Sequence, residues 1–459
     1  MHLQGEVEKL KTDFDLLKKQ LLGPKSEKMP PPVPRGTASS PEEKRAEARR
    51  KRREAAVAKE ALVTESVQAN VPEPQRTCPH CRRDNLKTVG DGKASTIFDY
   101  VPGYFRRRVT ARETLACPCG QYIVTAPAPD RVGDKTRYSA SFIAHLVTAK
   151  CGDSIPLYRL ETQYRRIGIP IARSTMTDLF HRAAFELAPL SRRLVERVAS
   201  AEIVLADETG IRMQGTTKRA FMWTFIAGNL IAFRFSVDRS GETPAKVLGG
   251  TQGTLVVDAY TGYNRVTGVG KRTRAGCLAH ARRKLFEAKD AAHEVHEALE
   301  IIRDVYIVEH EAKERRLVGT PEHLTLRESR TRPLMARLFR WLRHHRGRHP
   351  PKGLMGRAVR YALNNRRELT RFLYDARIPP DNNRSESALR VVALGRKNFL
   401  FVGHEDAGNN IAGLYSLIAT CTACGVNPLD YIRDVLMRVA VHPHVRIDEL
   451  LPDAWRPAP

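Results

Sequence analysis

Ile203-Val204-Leu205-Ala206-Asp207-Glu208-Thr209 is an apolar run that ends on an acid. Consecutive aliphatic residues of this kind suit a strand buried on both faces. An acid closing such a strand has a fixed backbone, and its carboxylate emerges at the edge of the sheet. The same grammar recurs in Thr254-Leu255-Val256-Val257-Asp258-Ala259-Tyr260, which puts Asp258 at the close of a second strand. Between the two lie Phe221–Ile226 and Leu230–Val237, split by Gly228-Asn229 as in a hairpin. A short helix can start at Thr243-Pro244, and another opens after Gly276-Cys277-Leu278-Ala279-His280.

Strand, hairpin, helix, strand, strand, helix is the order expected of a ribonuclease H-like α/β core. A third acid, Glu386, falls in the helix-like segment Asp381-Asn382-Asn383-Arg384-Ser385-Glu386-Ser387-Ala388-Leu389-Arg390. Two strands and a helix can gather three carboxylates around two Mg²⁺ ions about 4 Å apart, the geometry of in-line displacement at phosphorus. Hard oxygen ligands select Mg²⁺ or Mn²⁺. Asp207, Asp258 and Glu386 are thus the expected catalytic and magnesium-binding set. Glu208, next to Asp207 in an extended strand, points to the opposite face and is not assigned. His280, Arg282 and Arg283 read as contacts to the scissile phosphate, and Arg396 and Lys397 as a grip on flanking DNA. Each reads equally well as a structural ion-pair partner.

Charge says which phosphorus. Lys and Arg outnumber Asp and Glu 77 to 51, a formal net charge of +26. That excess is the footprint of a polyanion partner, most simply DNA. The 459 residues suffice for roughly two to four domains, and a hydrophobic fraction of 42% is ordinary for a globular chain. No apolar run approaches the length of a membrane span, and the N-terminus lacks the apolar core of a signal peptide. Eight cysteines in so long a chain do not make a disulfide scaffold, so a reducing, cytoplasmic and nucleoid-associated setting is expected.

Along the whole chain six organisational segments are expected. Residues 1–30 hold a short heptad helix, with Leu3, Val7, Leu10, Phe14, Leu17 and Leu21 as an a/d seam for self-association or for packing on the protein itself. Residues 31–75 are a Pro-rich, then charged linker. Residues 76–130 carry Cys78-Pro79-His80-Cys81 and Cys117-Pro118-Cys119-Gly120, and four thiolates from Cys78, Cys81, Cys117 and Cys119 suit structural Zn²⁺. Between these knuckles Tyr100, Tyr104 and Phe105 interleave with Arg106, Arg107 and Arg108, a phosphate-contacting mixture or an ordinary exposed strand. Residues 131–200 read as helical, with Ser174 and Thr175 capping a helix to about Leu187. The Gly168–Pro170 turn makes either a helix-turn-helix-like DNA reader or a plain connecting layer. Residues 201–400 are the core, interrupted at about 285–378 by a helical insertion. From Arg330 to Arg371 it has 13 Lys or Arg and one acid, Glu368, so Arg340, Arg343, Arg346 and Arg348 read as a DNA clamp, or else as a solvated face. Residues 401–459 form a helical tail, with a piece from about Ile411 to Val439. In it Cys421 and Cys424 read as buried free thiols.

At these motifs the chain resembles bacterial transposases of the insertion sequence 66 family, over nearly its whole length. The resemblance rests on Leu22-Gly23-Pro24-Lys25-Ser26-Glu27-Lys28, the cysteine knuckles, Tyr158-Arg159, Ala206-Asp207-Glu208-Thr209 and Asp258-Ala259-Tyr260-Thr261-Gly262-Tyr263. It continues in Ala279-His280-Ala281-Arg282-Arg283, Asp381-Asn382-Asn383 through Glu386, Leu394-Gly395-Arg396-Lys397-Asn398 and the tail from His442-Pro443 to Pro452. Three positions depart from the family's pattern: the second knuckle is a residue short, Leu278 stands for Trp, and Ser387 stands for Arg. The resemblance implies a transposase with an acidic triad at Asp207, Asp258 and Glu386, acting on element ends and target DNA. It also implies a homo-oligomer and small accessory transposition proteins as partners. Two other classes fit part of the pattern. A zinc-containing, catalytically inactive DNA-binding regulator explains the charge and the knuckles. A ribonuclease H-like nuclease without strand transfer explains the acids.

Overall fold

In the computed structural model of the protein the described residues are 131–133, 136–399 and 401–457, the strands β1 (Thr114–Ala116) and β2 (Ile123–Thr125), and scattered positions among 45–57 and at 105. The heptad seam, the Pro-rich linker and all four knuckle cysteines lie outside them. A segment Val33–Arg107 forms a unit of its own, and the elements below belong to the other. β1 and β2 pair antiparallel, Thr114 opposite Thr125.

Four helices follow: α1 (Ala140–Cys151), α2 (Leu157–Arg166), α3 (Arg173–Glu186) and α4 (Ala188–Ser200). Gly168, at φ +82°, makes the turn between α2 and α3, a backbone conformation other residues rarely adopt. The expected cap on α3 does not form. The helix begins one residue earlier than Ser174, with Ala172 at the cap position and no side-chain bond there.

The sheet comes next, β3 (Ile203–Arg212), β4 (Arg219–Ala227) and β5 (Leu230–Ser236), then helix α5 (Glu242–Leu248), β6 (Thr254–Val256) and β7 (Thr273–Ala275). Spatial order is β5-β4-β3-β6-β7; β4 runs antiparallel to β3 and β5, whereas β6 and β7 run parallel to β3. Gly228-Asn229 is the hairpin turn, with Gly228 at φ +54°. Asp207 does not close its strand. Parallel pairing with β6 stops at Leu205, but antiparallel pairing with β4 carries β3 on to Arg212. The long hairpin partner, not the apolar run, sets the strand's end.

Alternation along β3 sends its side chains into two cores. Val204 and Ala206 join Trp223, Phe225, Leu255, Val257 and Tyr263 under α4 and α5. Leu205 joins Val256 and Ala275 on the other face. That second core runs on into α6 (Leu278–Glu287) and α7 (Val295–Glu314) and, past the short helix α8 (Pro321–Leu326), into α9 (Arg332–His345), α10 (Leu354–Asn364) and α11 (Arg366–Leu369). The insertion is therefore packed on the sheet face that Leu205 and Asp207 share by alternation. One buried cation knits it: Arg327, 1% exposed, donates to both Glu309 oxygens (2.8 and 2.7 Å) and to the carbonyls of Phe372, Asp375 and Ile378.

The chain returns through α12 (Asn383–Ala388) and α13 (Arg390–Phe399) to α14 (Glu405–Ala423) and α15 (Pro428–Arg438). The tail is thus two helices rather than one piece, broken at Gly425, φ +71°. Strand β5 is an edge strand, and α14 seals it: Ser416 Oγ accepts from Phe233 N (2.7 Å), while Thr420 Oγ1 accepts from Ile231 N (3.0 Å) and donates to Ile231 O (3.1 Å). No helix among the described residues is long and apolar enough to cross a membrane.

Candidate active site

Asp207 sits on β3 opposite Thr224, where β6 has just ended; Asp258 follows β6 by two residues; Glu386 lies in the first turn of α12. Each has a local fixing device. Asp207 Oδ1 accepts the Glu208 N–H (2.9 Å). Asp258 Oδ1 accepts the Tyr260 N–H (2.9 Å), and Arg274 on β7 ties down that turn by donating to the Asp258 carbonyl, to the Tyr260 carbonyl (2.7 Å) and to Asn264 Oδ1 (2.8 Å). Arg283 on α6 holds Glu386, its Nη2 donating to both carboxylate oxygens at 3.0 and 3.1 Å.

Asn382 positions α12 against the sheet. Only 1% exposed, it donates from Nδ2 to the carbonyl of Ala206 (2.7 Å), the neighbour of Asp207, and from its backbone N–H to Cys277 Sγ (3.2 Å). The Leu278 N–H meets the Pro380 carbonyl (2.9 Å), so the start of α6 and the start of α12 are stitched together. Sequence reasoning quoted Asn382 as a motif residue without a role, and passed over Cys277. The signal was an amide and a thiol flanking the two acid- and base-rich helix starts.

The acids feel one another. Burial pushes the Asp207 carboxyl up to about 7, and the charges of Glu208, Asp258 and Glu386 add to it. Desolvation is the larger cause, and like charge from the neighbouring acids is the smaller. Glu208 faces away, as alternation requires. Its carboxylate is 2% exposed and takes bonds from Tyr263 Oη (2.6 Å) and Arg239 Nε (2.8 Å). Burial raises it as well, while those two donors pull it back.

His280 Nδ1 is 3.9 Å from Glu386 Oε1, and burial lowers the imidazole below its ordinary value. Arg282 stacks over the Phe286 ring at 5.8 Å. Arg396 is exposed and donates to the Gly210 carbonyl (2.5 Å), and Lys397 is exposed. So His280 and Arg283 come to the acids, whereas Arg396 and Lys397 lie along the far end of β3 and α13. Arg340, Arg343, Arg346 and Arg348 are all exposed, on or just beyond α9, with no acidic partner among the described residues. Neighbouring Arg337 and Arg330 do pair, with Glu297 and Glu311. Cys421 is a buried free thiol and Cys424 a half-buried one.

The three carboxylates do not close on a single point. Among the described residues, only Glu294, His345 and His349 bring three metal-ligating atoms within 4.8 Å of one another. Sequence reasoning missed that group, because Glu294 is far from the two histidines in the chain.

Comparison with known proteins gives a consistent result. The model of the Transposase IS66 family matches residues 135–410, a span that includes all three acids. The IS66 C-terminal element matches 416–452, and the zinc-finger binding domain of transposase IS66 matches 75–120, which includes the four knuckle cysteines and supports a zinc cofactor there. Relatives in Sinorhizobium fredii include the uncharacterized protein y4qI, 31% identical over 392 residues, covering 80% of this chain and 72% of the relative. The uncharacterized protein y4hP is 29% identical over 417 residues, covering 84% and 75%.

Proposed function

The chain belongs to the IS66 transposase family, and we propose that it cleaves the ends of an insertion element and joins them to target DNA at Asp207, Asp258 and Glu386. The order of β3 to β7 and α6 supports reading the core as ribonuclease H-like. The observation that carries the proposal is the approach of three acids from three elements: Asp207 on β3 is raised first by burial and then by the charges of neighbouring acids, Asp258 after β6 and Glu386 on α12 among them. The donor set is hard oxygen, which fits Mg²⁺ or Mn²⁺. Those ions, when bound, supply Lewis acidity at the scissile phosphate and an activated nucleophile.

The chain's own groups do the rest. Asn382 and Arg274 hold two of the acid-bearing segments in place, so the carboxylates are preorganised and need not be ordered during reaction. Arg283, paired to Glu386 in the absence of DNA, is within reach of a phosphate that docks beside that carboxylate. Guanidinium suits such an exchange because it binds carboxylate and phosphate with the same fork. His280, kept neutral by burial, adds no charge of its own at neutral pH. The exposed arginines of α9 and the zinc unit are read as grips on DNA.

Purified protein incubated with element-end DNA and Mg²⁺ tests this. Nicking separates an enzyme from a regulator, and joining of the cut end to a second DNA separates a transposase from a nuclease. Asp207→Ala, Asp258→Ala and Glu386→Ala should each abolish cleavage and leave DNA binding largely intact, since binding rests on Lys and Arg elsewhere. Full cleavage by the Glu386→Ala protein would remove Glu386 from the mechanism.

A further inference from the structure

We propose that Glu294, His345 and His349 form a binding site for a zinc-class divalent transition metal inside the basic insertion, separate from the acidic triad and from the cysteine knuckles. Glu294 stands at the N-terminal cap of α7; His345 is the last residue of α9, and His349 lies in the loop that follows. The folding of α9 along α7 brings all three ligand atoms within 4.8 Å of one another, with His349 Nε2 3.2 Å from Glu294 Oε1.

Two features favour a metal over a simple ion pair. An ion pair needs one imidazole, and here there are two, stacked with centroids 5.7 Å apart. His345 is only 8% exposed and its Nδ1 is buried with no hydrogen-bond partner; His349 Nε2 is likewise buried without hydrogen-bond geometry. Buried polar atoms nearly always have a partner, so the unpartnered His345 nitrogen, beside a His349 nitrogen that meets Glu294 without hydrogen-bond geometry, calls for a ligand. The site is also built: Trp341 packs against the His345 ring at 4.2 Å and fixes it. Two imidazoles and one carboxylate are a known three-ligand set for zinc, with water completing the tetrahedron, and imidazole donors disfavour Mg²⁺. The exposed Glu294 side leaves that fourth position open.

A metal there fastens the C-terminal end of α9 to the start of α7. Arg343, Arg346 and Arg348 flank the two histidines, so the clip fixes the part of the basic face nearest it. Full-length protein stripped with a chelator and titrated with Co²⁺, then with Zn²⁺, tests the site. Cobalt at the knuckles gives a thiolate charge-transfer band; cobalt at Glu294, His345 and His349 gives d–d absorption without one. Glu294→Gln and His349→Ala should each lose one zinc equivalent and the non-thiolate component, and keep the thiolate band. Cys78→Ser should show the reverse. Equal metal equivalents and identical cobalt spectra for wild type and both insertion variants would overturn the site. Glu294→Gln changes an exposed side chain, so misfolding would not account for its loss.

Discussion

Asp207 carries the most consequential single charge. Its folded-state carboxyl, up to about 7, lies above the unfolded value near 4, so the folded protein holds that proton more tightly. The corresponding stability is fully present below the unfolded value and is lost as pH rises through the folded one. Metal-free protein at pH 8 therefore bears the cost of an ionised Asp207 among like charges. Asp207→Asn should raise the melting temperature of chelator-treated protein at pH 8, by on the order of 2 kcal/mol in stability, and by less at pH 5. Mg²⁺ should stabilise wild type at pH 8 and leave the variant unmoved; scanning calorimetry at the two pH values decides, and equal melting at pH 8 sinks the idea. At this scale the sequence was generous. An acid after an apolar run is legible because strand alternation and burial leave few places for a carboxylate to go. What it hid were the holds that Asn382 and Arg274 exert and the identity of Arg283's partner, since these depend on bonds between residues apart in the chain.

Elements divide into those that bear charge and those that close edges. The face of α9 with Arg340 and Arg343, continued by Arg346 and Arg348, is exposed, while Leu338, Phe339, Trp341 and Leu342 hold the helix to the core. If this face neutralises phosphates, DNA affinity falls by about 0.9 log units per phosphate for each tenfold rise in salt. Replacing the four arginines with Gln should flatten that slope by up to about four contacts, equally for specific and random DNA. Binding titrations at several salt concentrations check this; an unchanged slope leaves α9 a solvated face. Helix α14 closes the open edge of β5 through Ser416 and Thr420. Ser416→Ala with Thr420→Val strands two buried N–H groups, at about 1–3 kcal/mol each. The double variant should unfold at clearly lower urea and aggregate sooner, because an uncovered edge strand pairs with its neighbours. The hairpin and its Gly228-Asn229 turn were readable from turn chemistry; the sealing of β5 was not, since hydroxyls one turn apart on a helix carry no periodic signal.

Across the whole molecule, zinc, basic insertion and acidic triad occupy separate stretches of chain, and composition alone announced the polyanion. Cys78→Ser should lower bound zinc by one equivalent and destabilise the 76–130 unit, because structural zinc contributes folding energy directly. Metal analysis of freshly purified protein reads this, and unchanged zinc in the variant would count against Cys78 as a ligand. The order of strands and helices was legible from β3 to α6, and helices do fill the stretch between Asp258 and Glu386 that reads as an insertion. Its packing on the sheet face of Leu205 was not, because an apolar helix face does not say which surface it will cover. The bond from Asn382 to Ala206 closes a separation of 176 residues, and those from α14 to β5 separations of 183 and 189. Contacts so distant need most of the chain to exist before they can form. A chain that has been made only as far as α11 therefore has neither Glu386 nor the Asn382 bond to Ala206, and one made only as far as α13 still lacks the helix that seals β5.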